Sequence, residues 1–191
     1  MTLAFQGFCI RGLLSILFSR AMENLTAEIN AKYPGKTPQN VYPDRMQVSD
    51  HGYWFSYFSN APWLTDQCIA IHKAGKEIVL VGHSFGGTAA IMVAKALNKY
   101  GILVDLLCPI DPAAQYSTII PHNVLRTVAF YQNTPGQLGE GVIQAAPSWL
   151  KKDWGQRAVE YHRTGEGHLA IANDLFVHQK VLDAIKDIAN A

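Results

Sequence analysis

The sequence predicts a three-layer α/β/α sandwich built on a mostly parallel, doubly wound sheet. Two patterns carry that expectation. The apolar, β-branched runs Ile78–Val81, Ile102–Ile110 and Val124–Tyr131 have the composition of strands buried on both faces. Longer stretches with apolar residues at helical spacing alternate with them, at Leu64–Ala74, Gly86–Tyr100 and Leu169–Ala189, as in parallel βαβ units. Composition agrees: 49% hydrophobic and 16% charged residues suit a globule with much buried sheet and argue against disorder. A chain of 191 residues holds one α/β domain with a full core and is too short for two enzyme domains, so residues 1–191 read as a single domain.

Leu3-Ala4-Phe5 reads as a short buried strand entering a turn at Gln6-Gly7-Phe8, and a helix runs from about Leu13 to Lys32, where Tyr33-Pro34-Gly35 stops it. Gln39–Tyr42 is the second expected strand. The Asp44–Asn60 stretch after it reads as a loop, and Tyr53, Trp54, Phe55, Tyr57, Phe58 and Trp63 crowd this region. So many rings fit neither one helix face nor one strand face. Some pack under the loop or line a cleft, and Tyr53 and Trp54 are candidate substrate contacts. The helix Leu64–Ala74 then ends near Gly75 and feeds the stretch Ile78–Gly87.

That stretch reads IVLVGHSFGG, an apolar strand broken by a serine between glycines and followed by the small residues Thr88-Ala89-Ala90. Gly82-x-Ser84-x-Gly86 has the spacing of a nucleophile elbow, in which the serine sits in a strained turn above the sheet. A side chain at 82 or 86 would collide with the neighbouring strand or helix. The first turn of a helix carries N–H groups without an intrahelical partner, and that of Phe85 is suited to hold an oxyanion. The next strand, Ile102–Ile110, ends in Asp111-Pro112-Ala113, which puts a carboxylate at the edge where parallel sheets bind ligands. After Val124–Tyr131 comes the Gly/Pro-rich Gln132–Asp153, a length of irregular chain that usually has a function. Trp149 and Trp154 bracket its end. Residues 132–156 are thus a candidate cleft wall or lid, with Trp149 a candidate substrate contact. Arg157–His162 alternates like an edge strand, and Thr164-Gly165-Glu166-Gly167-His168 is a turn before the last helix.

A serine hydroxyl needs a general base at neutral pH, and histidine is the side chain whose ordinary pKa suits the task. Of the seven histidines, His168 leaves the last strand in a glycine turn, after the acid in chain order. His162, at the end of the edge strand, is its rival. His83 adjoins the serine, but the turn is expected to send its ring away. His178 lies on the apolar stripe of the last helix, as a core histidine would, and His51, His72 and His122 have no glycine turn to present them. Asp111 is the candidate to orient the base, with Asp153, Glu140, Glu166 and Asp174 as alternatives.

The strand, GHSFGG turn and helix resemble the α/β-hydrolase superfamily, whose lipases, esterases and thioesterases often carry GHS-x-GG. Ile110-Asp111-Pro112-Ala113 resembles the LDPA segment of pancreatic-type lipases, in which that aspartate is the triad acid; most of the superfamily takes its acid from one strand later. The order Ser84, Asp111, His168 is that of the family. The resemblance covers most of the chain in layout and only short segments in identity. It implies a minimal α/β-hydrolase fold, a Ser84-His168-Asp111 triad and an oxyanion hole of two backbone N–H groups. One belongs to Phe85; the other comes from the loop after an early strand, where Gln6 stands in the place of a frequent His and the donor is Phe8. The implied activity is a serine esterase or lipase acting on a small-molecule or lipid-like ester, with no metal or organic cofactor. A thioesterase for carrier-bound acyl chains and a non-catalytic hydrolase-like binding module are the alternatives.

A net charge of +1 without a Lys/Arg run gives no footing for nucleic acid. Cys9, Cys68 and Cys108 are odd in number, widely spaced and outside any zinc pattern, which points to buried free thiols and a reducing compartment. Gly12–Phe18 is apolar like a signal peptide, but Leu17–Ala31 continues in helical period and removal would delete the first strand. No run reaches the length of a membrane span. The expected location is therefore cytoplasmic.

Overall fold

The computed structural model describes residues 5–12, 20–34, 46–49, 56–113, 119–132, 144–145 and 159–189. Its strands are β1 (Phe5–Ile10), β2 (Met46–Ser49), β3 (Glu77–His83), β4 (Leu106–Ile110), β5 (Ile119–Ile120), β6 (Thr127–Tyr131), β7 (Gln144–Ala145) and β8 (Val159–Arg163). Six of them form one parallel sheet in the order β2-β1-β3-β4-β6-β8, and β5 pairs with β7 separately. The helices are α1 (Ala21–Lys32), α2 (Ser56–Lys73), α3 (Phe85–Lys99) and α4 (Leu175–Ala189).

Two hydrophobic cores lie on opposite faces of the sheet, and the two-residue period of a strand divides each apolar run between them. Phe8, Ile10, Ile78, Leu80, Leu107 and Ala129 face α2 and α3, where Leu64, Cys68, Ala90 and Leu97 complete the packing. Phe5, Cys9, Val79, Val81, Cys108 and Phe130 face α1 and α4, against Leu25, Ile29, Val177 and Val181. Strands covered on both faces have no polar side, which is why these segments read as continuous apolar runs. The chain leaves β1 toward β2 on one side and returns to β3 on the other, so the strand order reverses between β1 and β3. In sheets of this kind that switch point opens a crevice at the carboxyl ends of the strands.

The sequence-based boundaries shift where tertiary contacts decide. β1 runs straight through Gln6-Gly7-Phe8, which the sequence suggests is a turn. Gly7 is a point of close approach instead: a Cβ there would strike the carbonyl of Val79 on β3. β2 falls inside the expected Asp44–Asn60 loop. Asn30 of α1 holds it, accepting the Met46 N–H at 2.9 Å and donating to the Met46 carbonyl at 3.0 Å. The expected strand Gln39–Tyr42 lies outside the described residues. α2 begins at Ser56, eight residues before the expected Leu64, and includes Pro62. Val104 and Val124 pair as an isolated parallel bridge ahead of the shortened β4 and β6. The last helix also starts later than expected, after a 3₁₀ turn at Ile171–Asn173, where Asp174 Oδ1 caps it by accepting the Phe176 N–H at 2.9 Å. No helix among the described residues is long and apolar enough to cross a membrane.

Candidate active site

The register of the sheet brings the chemistry to one edge. His83 pairs with Ile110, and Ile110 with Phe130, so the tips of β3, β4 and β6 end side by side. The chain turns sharply after β3: the Ser84 N–H donates to the Ile110 carbonyl at 2.9 Å, while the Ser84 carbonyl accepts from Thr88 at 3.2 Å and Ala113 at 3.3 Å. This turn leaves Ser84 at a φ of 56°. Gly82 and Gly86 allow it. A Cβ on Gly82 would meet the Gly86 backbone, and one on Gly86 would meet the Ile10 carbonyl.

Asp111 follows β4 directly, fully buried, with its N–H donating to the Phe130 carbonyl at 2.8 Å and a φ of 42°. Among the described residues, Ser84 and Asp111 are the two non-glycine positions in this left-handed region. Each such residue costs about 1–3 kcal/mol, and such strain collects at functional sites. His168 leaves β8 through the glycine turn. Its Nδ1 lies 2.6 Å from Asp111 Oδ2 and its Nε2 lies 3.0 Å from Ser84 Oγ. A carboxylate accepts only, so Nδ1 carries a proton and a neutral ring has Nε2 open to accept the serine proton. Anchoring comes from just beyond the turn: the Ala170 and Ile171 N–H groups donate to the Gly167 carbonyl, and the Ile171 and Ala172 side chains are buried.

Phe85 opens α3 directly after the serine, where a backbone donor toward an oxyanion is expected. Phe8 is elsewhere. It pairs with Leu80 in mid-strand, about 13 Å of strand short of Ser84, and its side chain is buried in the core beside α2 and α3. The expectation of Phe8 as second donor is therefore corrected. The residues beside Ser84 are those after β1: Ile10 pairs with Gly82, so two residues further Gly12 stands level with Ser84. A Cβ on Gly12 would lie 2.7 Å from Ser84 Cβ. The sequence signal was there, since a glycine closes the apolar run in Ile10-Arg11-Gly12. Gly7 and the polar Gln6 mimic a strand end within β1, which runs on to Ile10. Arg11 forms an ion pair with Glu23 of α1 at 2.6 Å, tying this tip down.

The sequence expectation sends the His83 ring away from the serine, and the structure turns it toward the His168 main chain. As an odd-numbered residue of β3 it faces the α1/α4 side, from which the His168 turn approaches. Its buried ring donates through Nε2 to the His168 carbonyl at 2.8 Å. Burial, and then the neighbouring His168, push its pKa down to about 4.

The remaining sequence candidates lie apart. His162 Nε2 meets Glu160 at 2.6 Å, and the ring stacks on Phe130. His178 is the core histidine expected, bridging the Ala172 carbonyl at 2.8 Å and Glu28 at 3.0 Å. Glu166 is exposed and Asp174 is engaged as a cap. Tyr53, Trp54, Trp149, His51, Glu140 and Asp153 lie outside the described residues, as does nearly all of the proposed lid 132–156. A groove of about 480 Å³ between α2 and α3, lined by Pro62, Met92, Lys95 and Tyr100 among others, contains none of Ser84, Asp111 and His168. The three cysteines are free and buried, and burial raises the Cys9 thiol to about 12 and raises Cys68 and Cys108 too. Among the described residues, no cluster of three His, Cys, Asp or Glu side chains could hold a metal ion.

No protein-family model and no curated protein matches the chain. Solved structures do. A hydrolase of the α/β superfamily from Xanthomonas campestris pv. campestris is 12% identical, with a TM-score of 0.57 over 95% of this chain and 99% of that one. A cell surface hydrolase from Lactobacillus plantarum is 14% identical, with a TM-score of 0.52 over 96% and 91%. The NocB thioesterase domain of the nocardicin cluster is 16% identical, with a TM-score of 0.51 over 100% and 98%. At such identities the likeness is one of architecture, and it agrees with the parallel six-stranded sheet: the chain has the α/β-hydrolase fold.

Proposed function

We propose that this chain is a serine hydrolase cleaving carboxylic esters through an acyl-enzyme. The observation that carries the reading is the buried relay from Ser84 Oγ through His168 to Asp111, at 3.0 and 2.6 Å. In this mechanism Ser84 Oγ attacks the ester carbonyl carbon as His168 Nε2 takes its proton. Asp111 holds the ring in the required tautomer and stabilises the imidazolium. The Phe85 N–H and the backbone at the tip of β1 around Gly12 bind the developing oxyanion. His168 returns the proton to the leaving alkoxide, the alcohol departs, and water activated by the same histidine releases the acid.

The thioesterase reading has one specific point in its favour. The NocB thioesterase domain matches this chain over nearly its whole length, and its covalent complex with a fluorophosphonate nocardicin G analogue has a TM-score of 0.51 to this chain. Fluorophosphonates phosphonylate activated serines, so such a probe tests the nucleophile without knowledge of the substrate. Wild type should be labelled stoichiometrically and Ser84→Ala not at all. Unlabelled folded wild type would remove the hydrolase reading. Nitrophenyl esters from acetyl to palmitoyl, run beside the matching acyl thioesters, would then separate the two activities.

A further inference from the structure

We propose that His83 is a positioning residue for the base, its Nε2–H fixing the His168 main chain while the ring packs on the His168 imidazole. This rests on the triad reading above. The hydrogen bond to the His168 carbonyl is 2.8 Å, and the two ring centroids lie 4.9 Å apart at 36°. Both residues are buried.

The need for such a hold follows from how His168 is carried. It comes at the end of a turn with Gly165 and Gly167, the residues that lose most conformational freedom on ordering. Asp111 restrains only the ring, through Nδ1. A second restraint on the carbonyl leaves the ring little freedom except rotation within the Asp111 hydrogen bond. The donor also has to be neutral. His168 becomes a cation in the transition state, and a charged neighbour at 4.9 Å would oppose it. His168 and Asp111 are the titratable groups acting on His83, and with burial dominant it stays neutral above about pH 4, keeping its Nε2–H. The residue before the nucleophile thus supplies a hydrogen bond without a competing charge. Strand parity makes this possible, because the elbow that lifts Ser84 over the edge leaves His83 on the face the His168 turn approaches.

His83→Gln keeps an N–H donor close to the Nε2 position, and His83→Leu removes it. The rate of fluorophosphonate labelling and of ester turnover should fall by roughly 10- to 100-fold in His83→Leu, in kcat with KM nearly unchanged, and His83→Gln should recover most of it. Labelling of His83→Leu at the wild-type rate would overturn the proposal. So would equal impairment of the two variants when both melt like wild type, since that would mean size rather than the donor matters. Nitrogen-detected NMR of wild type covers the case in which His83→Leu does not fold: the ring should remain the neutral Nε2–H tautomer across about pH 5 to 8, and ordinary titration near 6.5 would refute the assignment. These outcomes differ from failure of the hydrolase reading, in which wild type itself is not labelled.

Discussion

Gly12→Ala tests whether the tip of β1 borders the nucleophile. The added Cβ would lie 2.7 Å from Ser84 Cβ, 2.9 Å from the His83 carbonyl oxygen and 3.4 Å from Ser84 Oγ. Carbon atoms in contact prefer about 3.5–4.0 Å, so roughly 1 Å must be found. The backbone does not forbid alanine, because Gly12 is not among the glycines with positive φ. The clash must therefore move either the β1 tip or the elbow, and the elbow is held by the Ser84 hydrogen bonds to Ile110, Thr88 and Ala113. Overpacking of this size costs about 1–3 kcal/mol, a modest loss of melting temperature. A reacting group displaced by about 1 Å costs on the order of 100-fold in rate. The assay is the second-order rate of fluorophosphonate labelling beside a thermal melt of wild type and variant. A Gly12→Ala protein that labels at the wild-type rate would refute the placement of this residue against Ser84.

Asp111→Asn should lower ester turnover by about 10⁴-fold, because an amide can donate to His168 and favour the wrong tautomer; turnover within a few-fold of wild type would move the acid elsewhere. Glu77 predicts a pH effect on stability. Burial, reinforced by Asp105, raises its carboxyl from the ordinary 4.5 to about 7. Between those values the native state holds a proton the unfolded chain has released, so stability falls as pH rises through the window. Glu77→Gln should flatten the melting temperature measured from about pH 5 to 8, and an unchanged slope would contradict the assignment.

The parts of the molecule legible in the sequence are those decided locally. Buried parallel strands are apolar throughout, so β3, β4 and β6 announced themselves. The elbow combines steric needs only glycine meets with a strand before it and a helix after it. Ser84, Asp111 and His168, which the structure brings together, each end an apolar run or leave a glycine turn. What the sequence hid depends on partners distant along the chain. Gln6 and Gly7 look like a turn until Val79 is seen to require closeness at Gly7. Met46–Ser49 is a strand because Asn30 and β1 hold it there. His83 could be placed only by knowing which face of β3 it occupies and which face the His168 turn covers.

Strand register and parity explain why the site lies where it does. In-register parallel strands end together, so one step past β3 and β4 brings Ser84 and Asp111 side by side, and two steps past β1 brings Gly12 level with the serine. The two strained residues are the first after β3 and β4, where the sheet still fixes the incoming backbone and the outgoing chain must leave at once. Strain of about 1–3 kcal/mol at each can persist because the strands behind them are packed on both faces by helices and cannot relax toward the turn. His168, the base of the proposed mechanism, is supplied differently, by a glycine-containing turn between an edge strand and a 3₁₀ segment. Of the three residues it is the one whose main chain accepts a side-chain hydrogen bond from His83. In the proposed mechanism, strand tips packed on both faces hold Ser84 and Asp111, whereas proton transfer falls to His168, whose backbone is secured by the His83 side chain.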